Sequence, residues 1–314
     1  MADTGERNTN VRVFSIAPAA SGYALVLHGG AGGRLSELSL DQQGQYSAGL
    51  TEAYVAGEMV LAGGGSALDA VCATVEKLEN NPLFNSGRGA ALTKSGEAEL
   101  DASVMTGDGR AGAIAASRYC KNPVYLARKV MENSEHVLLV APNEDLVASW
   151  GLETVEPDYF ITPVRQEQLR NVQSKLLEGS RHGTVGAVAM DVHGHLAAAT
   201  STGGMVNQSE GRVGDTPIIG AGNYARDGVV AVSCTGDGEA FIQGVVSHEI
   251  SARMRYANAE LADAVAGTIE AELDGRKADG GIIAVGADGR IVIAHNSPAM
   301  FAAYRDEDQL VTLT

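Results

Sequence analysis

The chain has 314 residues and a mass of 32.4 kDa, enough for one large or two ordinary domains. Its 45% hydrophobic content and 39 glycines favour a tightly packed α/β core with many turns over disorder. The formal charge of −16 argues against nucleic acid or an anionic membrane as a partner, because both bind basic surfaces. No apolar run approaches the ~20 residues that span a bilayer, so we expect no membrane partner.

The cellular compartment can be predicted from the N-terminus and the cysteines. Residues 1–10 are polar and lack the charged-then-apolar pattern of a signal peptide. Cys72, Cys120 and Cys234 are few and widely separated, which argues against a disulfide framework. Both observations predict a cytoplasmic protein.

In chain order, the first half of the sequence predicts strands interspersed with helices. Apolar runs predict strands over residues 23–27, 90–105, 111–116 and 137–140. Helical spacing predicts helices over residues 40–61, 66–78 and 122–131. Ser66 with Asp69 is typical of a capping box at the start of the second helix. Gly44, Gly49 and Gly57 weaken the prediction of one unbroken first helix.

The second half begins with a change in composition. Residues 162–183 are polar and predict an exposed helix or a linker that ends just before Thr184. Beyond a loop predicted over 203–224, the pattern predicts strands over 185–191, 196–200, 229–235, 281–285 and 290–294. Helices are predicted over 239–255 and 261–273, and the last two strands form a hairpin. This order indicates an α/β protein in which helices cover sheets.

Thr184 is the residue on which the functional interpretation depends. It follows a glycine and opens the apolar run of a buried strand. An internal threonine hydroxyl is a poor nucleophile, but a chain cut before it gains an α-amino group with a pKa of roughly 7.7–8.0. That amine can take the hydroxyl proton at neutral pH, which makes the threonine reactive. The alternative interpretation of Gly183-Thr184 is an ordinary loop glycine entering a strand.

Short glycine-rich and polar blocks lie on both sides of Thr184. They are LHGGAG at 27–32, NPLFNSG at 81–87, ELDA at 99–102, TSTGG at 200–204, GRVGDTP at 211–217, GAG at 220–222 and SCTGDGE at 233–239. In this order they resemble the plant-type L-asparaginases, also called isoaspartyl aminopeptidases, of the N-terminal nucleophile (Ntn) hydrolase superfamily. The resemblance covers nearly the whole chain.

The resemblance implies a fold and a processing event. The fold is the four-layer αββα sandwich of the Ntn hydrolases, an α/β architecture with helices outside two stacked sheets. Cleavage between Gly183 and Thr184 would give an α subunit, 1–183, ending in a linker from about residue 162. The β subunit, 184–314, would begin at the nucleophile. The two subunits would form one structural domain, and two such αβ units would associate as a dimer, a heterotetramer of chains.

The resemblance also implies the reaction. Thr184 would first attack the carbonyl of Gly183, which lacks a Cβ and tolerates a strained backbone. In turnover, it would attack the side-chain carbonyl of L-asparagine or of a β-aspartyl dipeptide and form an acyl-enzyme. Thr202 would orient Thr184 through a hydrogen bond. Thr235 and Gly236 match the family's oxyanion hole, which stabilises the developing negative charge.

Substrate binding is expected from one loop and the helix start that follows it. Arg212 fits the α-carboxylate of the substrate, because a guanidinium can make two parallel hydrogen bonds to it. Asp215, three residues on, fits the α-ammonium group. Thr235, Gly236 and Gly238 match further substrate contacts of the family. A surface ion pair between Arg212 and Asp215 is the alternative interpretation.

A loop upstream resembles the structural sodium site of the family. Its ligands would be the backbone carbonyls of Leu78, Glu79, Asn81, Phe84, Ser86 and Arg88. Carbonyl oxygens suit a hard cation, although an ordinary loop remains the alternative. Asn85 is expected to support the surroundings of the nucleophile. No cofactor is expected for catalysis.

Two features depart from the family pattern, and two other functions compete. Gln208 stands where many relatives have lysine, and Pro298 lies in a region that is usually free of proline. A glycosylasparaginase is disfavoured by the lack of secretory and disulfide signals. The other competitor is a relative that never processes and acts as a binding or assembly module. The presence of Thr184, Thr202 and Thr235 favours the enzyme.

Overall fold

A computed structural model describes residues 11–32, 38–174, 183–307 and 309–313. The strands in these ranges are β1 (Arg12–Ile16), β2 (Ala24–Ala31), β3 (Leu100–Thr106), β4 (Ala111–Ser117), β5 (Leu138–Val140), β6 (Thr184–Met190), β7 (Leu196–Thr202), β8 (Asn223–Arg226), β9 (Val230–Gly236), β10 (Gly280–Gly286), β11 (Ile291–His295), β12 (Met300–Asp306) and β13 (Gln309–Leu313). They form an eight-stranded sheet in the order β13-β12-β2-β6-β7-β3-β4-β5 and a five-stranded sheet in the order β1-β11-β10-β9-β8.

Eight α-helices are described, and most of them lie on the outer faces of the two sheets. They are α1 (Leu40–Ala62), α2 (Ala67–Asn80), α3 (Pro123–Asn133), α4 (Glu144–Ser149), α5 (Pro163–Gln173), α6 (Gly238–Gly244), α7 (Val246–Ala257) and α8 (Leu261–Thr268), which continues as a π-helical turn over Ile269–Leu273. Helices α1 and α2 pack on the larger sheet, and α6 to α8 pack on the smaller one. Apolar side chains of the two sheets pack against each other between them. The four-layer αββα arrangement is therefore confirmed.

Strands from before and after Thr184 alternate within the larger sheet. Strand β2 pairs with β12 on one side and β6 on the other, and β3 pairs with β7. In the smaller sheet, β1 pairs with β11. The two segments that flank the Gly183–Thr184 bond therefore share both sheets and one core.

Helix α1 contains Gly44, Gly49 and Gly57, and the last of these is needed for close packing. A Cβ at Gly57 would come 2.9 Å from the carbonyl oxygen of Ala70, so its absence lets α1 and α2 approach closely. The predicted start of α2 at Ser66 is confirmed, with the Ser66 hydroxyl accepting the backbone N–H of Asp69 at 3.1 Å. The same hydroxyl also donates to the Asp69 carboxylate.

Four sequence predictions of elements are wrong in part. Residues 90–99 are not a strand, because Asn85 takes the N–H of Ala91 at 2.6 Å and the apolar residues pack against Phe160 and Leu169. Strand β2 continues through the glycines to Ala31. The predicted helix 239–255 is broken at Val245, whose φ is 47°. The loop predicted over 203–224 ends at strand β8, which had no prediction.

The remaining outcomes concern the unpredicted strands, the polar segment before Thr184, the cysteines and the membrane prediction. Strands β1, β12 and β13 were not predicted. The polar segment before Thr184 contains helix α5, while residues 175–182 and 1–10 lie outside the described residues. The three cysteines are free and buried. Among the helices that the structure describes, none has both the length and the apolar character needed to cross a bilayer.

Candidate active site

The candidate nucleophile lies at the first position of a central strand. Thr184 begins β6 and stands directly opposite Thr202, the last residue of β7. Both are almost fully buried, at 6% and 3% exposure. The strands form here because the small, alternating residues after Thr184 can be enclosed on both faces. The antiparallel register therefore brings together the two threonines that the sequence separates by eighteen positions.

A chain of hydrogen bonds links the nucleophile to the bond before it. The Thr184 hydroxyl donates to Thr202 Oγ1 at 3.1 Å, and the Thr202 hydroxyl donates to the carbonyl oxygen of Gly183 at 3.3 Å. The backbone N–H of Gly204 also donates to Thr202 Oγ1, at 3.1 Å. Thr202 thus accepts from the attacking hydroxyl and donates to the carbonyl that would be attacked.

Thr235 lies on the other side of the nucleophile, near the end of β9. Its Oγ1 accepts the backbone N–H of Thr184 at 3.3 Å and that of Ala31 at 3.3 Å. Gly236 follows with a φ of 143°, in the region that favours glycine. The nitrogen that cleavage would free is therefore already in contact with Thr235.

Close packing surrounds the peptide bond at Gly183. A Cβ at Gly30 would come 3.0 Å from the Cα of Gly183, and a Cβ at Gly183 would come 3.1 Å from that of Asn85. Asn85 also donates to the carbonyl oxygen of Gly204 at 2.7 Å. It thus holds the turn that follows Thr202, as expected of a supporting residue.

Arg212 makes a bidentate ion pair. Its Nε and Nη2 donate to the two carboxylate oxygens of Glu239 at 3.0 and 2.9 Å. Nη1 donates to Gln208 Oε1 at 3.4 Å, so the residue that departs from the family pattern contacts the guanidinium. A guanidinium has two donor edges, and Glu239 is bonded to the Nε–Nη2 edge.

Asp215 and Gly238 lie beside that guanidinium. A Cβ at Gly238 would come 3.0 Å from Arg212 Nη2 and 2.9 Å from Asp215 Oδ1, so the first turn of α6 touches both side chains. Asp215 is only 4% exposed, and its backbone carbonyl accepts the N–H groups of Ile218 and Gly222. The structure therefore brings together three of the five residues that the sequence assigned to the substrate, Arg212, Asp215 and Gly238.

Asp101 is a residue of this region that sequence reasoning did not assign. It pairs with Thr202 across β3 and β7, and it is 4% exposed. The backbone N–H groups of Ala116 and Gly214 bond to its carboxylate, and burial raises its pKa to about 7. An aspartate within an otherwise apolar strand was the available signal. Asp101 connects the strand that carries Thr202 to the loop that carries Arg212.

The loop that resembles a sodium site packs tightly around backbone carbonyls. A Cβ at Gly87, whose φ is 51°, would collide with the carbonyl oxygen of Glu79, and one at Gly89 with that of Phe84. Two of the six expected carbonyls, those of Glu79 and Phe84, therefore lie against glycines of the same loop. The buried Glu79 side chain accepts hydrogen bonds from Ser201 at 2.7 Å and from the backbone of Val124 at 2.9 Å.

Comparison with known proteins agrees with this geometry. A family model described as asparaginase matches residues 21–314. The isoaspartyl peptidase of Salmonella typhimurium is 44% identical over 294 residues, covering 89% of this chain and 94% of the relative. That of Escherichia coli is 42% identical and covers 89% and 92%. The isoaspartyl peptidase/L-asparaginase of Danio rerio is 38% identical and covers 91% and 93%. The resemblance inferred from the motif blocks is thus confirmed, and the chain belongs to the asparaginase family.

Proposed function

We propose that the protein is a self-cleaving threonine hydrolase that acts on β-aspartyl dipeptides and L-asparagine. The observation that carries this proposal is the hydrogen-bond chain from the Thr184 hydroxyl through Thr202 to the Gly183 carbonyl. It joins an attacking oxygen, a proton carrier and an electrophile at one peptide bond. The names of the relatives, isoaspartyl peptidase and isoaspartyl peptidase/L-asparaginase, give the substrate class.

Maturation follows from the direction of those bonds. Thr184 Oγ1 attacks the carbonyl carbon of Gly183 while its proton passes to Thr202 Oγ1, and the Thr202 proton passes to the carbonyl oxygen. When the tetrahedral intermediate collapses, the C–N bond breaks, the carbonyl re-forms and the proton leaves that oxygen for the Thr184 nitrogen. The resulting ester between Gly183 and Thr184 is hydrolysed by water, which leaves a carboxyl group on Gly183 and a free amine on Thr184.

Turnover uses the same hydroxyl with a new base. The free amine of Thr184 accepts the hydroxyl proton, and its contact with Thr235 Oγ1 orients it. The hydroxyl attacks the side-chain carbonyl of the substrate, and the amine returns the proton to the departing ammonia or amino acid. Thr235 and the N–H of Gly236 stabilise the negative charge that develops on the oxygen of the substrate carbonyl. Water then hydrolyses the acyl-enzyme.

The substrate's charged groups would be held by the loop and the start of α6. The Nη1–Nη2 edge of Arg212 binds the α-carboxylate, and Asp215 binds the α-ammonium. Gly238 lets the substrate approach both, because it has no side chain to fill the space between them. An α-aspartyl dipeptide places its peptide bond on the wrong carboxyl group and would not fit.

Three further features belong to the proposal. The loop over 78–88 would hold a structural Na⁺ through its backbone carbonyls and thereby fix Asn85, and no cofactor would take part in the chemistry. The αβ unit would dimerise to give a heterotetramer. The protein would work in the cytoplasm, where its three buried thiols stay reduced. The Na⁺ site is tested by comparing the Tm of the protein in a sodium salt with its Tm in the salt of a large organic cation. The dimer is tested by sedimentation analysis.

The experiment that tests the function compares matched substrates and variants. The parent protein should hydrolyse β-aspartyl-leucine and L-asparagine but not α-aspartyl-leucine. Thr184→Ala should release no product from any of them, whereas Thr184→Ser keeps a hydroxyl and should keep measurable activity. Equal hydrolysis of the α- and β-aspartyl peptides would contradict the assigned substrate class, and activity of Thr184→Ala would contradict the nucleophile.

A further inference from the structure

The buried side chain of His28 contacts Thr184 from the side that faces the smaller sheet. His28 belongs to β2 and has no exposed surface. Its Nδ1 lies 2.8 Å from the carbonyl oxygen of Thr184, and its Nε2 lies 2.8 Å from Ser233 Oγ. Because a carbonyl oxygen only accepts, Nδ1 must carry the hydrogen. Burial lowers the pKa of His28 to about 3, so the ring is neutral and Nε2 accepts from the Ser233 hydroxyl.

This hydrogen bond is the first of a buried series. Since the Ser233 proton is used by His28, the Thr200 hydroxyl donates to Ser233 at 2.8 Å. The side-chain amide of Asn223 in turn donates to Thr200 Oγ1 at 3.0 Å. Ser233, Thr200 and Asn223 also have no exposed surface. The series passes back and forth between the two sheets and ends at Thr184.

The His28 ring replaces a backbone partner that the sheet cannot provide. Strands β2 and β6 pair only as far as His28 opposite Gly186. Beyond that pair, β2 continues alongside β12, and Gly30 packs against Gly183 instead of extending the ladder. The carbonyl of Thr184 therefore receives its hydrogen bond from the His28 side chain. The residue at position 186 must be small, because a Cβ there would come 2.6 Å from His28 Nε2.

We infer that His28 is a positioning residue whose Nδ1–H holds the carbonyl of Thr184 and so fixes the direction of its hydroxyl and amine. After cleavage Thr184 becomes a chain end, and chain ends fray unless they are held. The His28 bond holds this end from the carbonyl side while Thr202 and Thr235 contact its hydroxyl and its nitrogen. Ser233 contributes by holding the ring in the Nδ1–H form. This inference rests on the proposed threonine chemistry.

Two substitutions separate the two ends of the ring. In His28→Asn, the amide nitrogen is bonded to Cγ, as Nδ1 is, so it can still donate to Thr184. In His28→Gln, the amide lies one bond further out, at the depth of Nε2, and the donor to Thr184 is lost. We expect His28→Gln to slow both self-cleavage and kcat about 100-fold. KM should change less than about twofold, because Arg212 and Asp215 are untouched. His28→Asn should stay within about tenfold of the parent.

The outcomes distinguish positioning from a purely structural role. Equal losses in His28→Asn and His28→Gln, in proportion to equal falls in Tm, would overturn the inference. So would a His28→Gln variant with parental rates. If the parent itself neither processes nor turns over β-aspartyl dipeptides, the proposed function fails instead, whatever the variants do.

A measurement on the parent protein covers the case in which the variants do not fold. In protein labelled with ¹⁵N-histidine, the nitrogen signals of His28 should show a protonated Nδ1 and an unprotonated Nε2 at neutral pH. Ser233→Ala, which removes the donor to Nε2, should shift the Nε2 signal more than the Nδ1 signal. A His28 ring protonated on Nε2 in the parent would contradict the inference directly.

Discussion

The two parts of the site are held in different ways. The hydroxyl cluster, Thr184, Thr202 and Thr235, lies at strand ends, where backbone ladders fix each residue opposite its neighbour. The binding loop, residues 208–217, contains no helix or strand, and it is held by side chains of other elements. Glu239 takes one edge of Arg212, and Asp101 takes the backbone of Gly214.

This difference separates chemistry from recognition. A change in the hydroxyl cluster alters groups that are proposed to act on the Gly183–Thr184 bond and on the substrate carbonyl, so it should affect processing and kcat together. A change in the binding loop leaves those groups in register, so it should affect KM and spare processing. The variants below test whether the two parts separate in this way.

Thr202→Ala should have the largest effect. It removes the group that accepts from Thr184 and donates to Gly183, so self-cleavage and kcat should each fall about 10³-fold. Thr202→Ser is the matched control, because it keeps the hydroxyl and should therefore cleave itself nearly as fast as the parent. The measurement is the time course of cleavage by mass spectrometry, with kcat on β-aspartyl-leucine. Unchanged cleavage in Thr202→Ala would show that Thr202 is not the proton carrier.

Arg212→Lys should have the next largest effect, confined to recognition. An ammonium cannot make two parallel hydrogen bonds to a carboxylate, so kcat/KM for β-aspartyl dipeptides should fall about 100-fold while processing continues. Arg290→Lys is the control, since Arg290 is partly exposed and pairs only loosely with Asp288, at 3.7 Å. Parental kinetics for Arg212→Lys would remove Arg212 from the binding site.

Asp101→Asn tests the residue that connects the two parts. In Asp101→Asn, the side-chain NH₂ would face one of the two backbone N–H groups that now donate to the carboxylate, and two donors cannot bond to each other. The binding loop should therefore loosen, and KM should rise about tenfold. Complete processing is expected, because Thr184 and Thr202 keep their register. If processing were lost as well, the hydroxyl cluster and the binding loop would not be separable.

The same variant has a signature in stability against pH. The pKa of Asp101 is about 7 in the folded protein, above its ordinary value of 3.8. Folding therefore binds a proton between about pH 4 and 7, and the Asp101 contribution to the free energy of unfolding falls as pH rises through that range. Relative to Asp101→Asn, the parent should lose stability over the same interval in urea unfolding. Parallel curves would contradict the raised pKa.

Substitutions of Glu239 should have the smallest effects, and in opposite directions. Glu239→Gln keeps an acceptor for Arg212 Nε but removes a negative charge near the substrate carboxylate, so KM should fall about threefold at low salt. Glu239→Ala removes the orienting contact, and KM should rise about threefold. Movement of both variants in the same direction would show that only one of the two effects operates.

The sequence predicted the hydroxyl cluster because each member stands in a recognisable block next to a strand. Thr184 and Thr202 meet through the register of two adjacent strands, whereas the sequence placed them together only through the family resemblance. Arg212 and Asp215 were also predicted, and the structure brings them together with Gly238. The pattern of α2 was clear from its helical spacing and its cap at Ser66, whereas glycines weakened the prediction of α1.

The contacts that connect these groups could not be predicted in the same way. His28 and Ser233 are 205 positions apart, and they meet because two sheets stack, which local sequence does not encode. Asp101 and Gly214 are also far apart in the sequence, and they meet where a loop folds back onto strand β3. The helix break at Val245 escaped prediction because a β-branched residue rarely adopts a φ of 47°. Long-range packing, rather than local propensity, determines these features.

The most direct test of the account is the mass and N-terminal sequence of the purified protein under denaturing conditions. At about 103 Da per residue, the average for a 32.4-kDa chain of 314 residues, fragments 1–183 and 184–314 should weigh about 19 and 13 kDa. The smaller fragment should begin Thr-Val-Gly-Ala, and Thr184→Ala should remain one full-length chain. A chain that stays whole and still hydrolyses β-aspartyl dipeptides would contradict the account, because Thr184 would then have no free amine to act as its base.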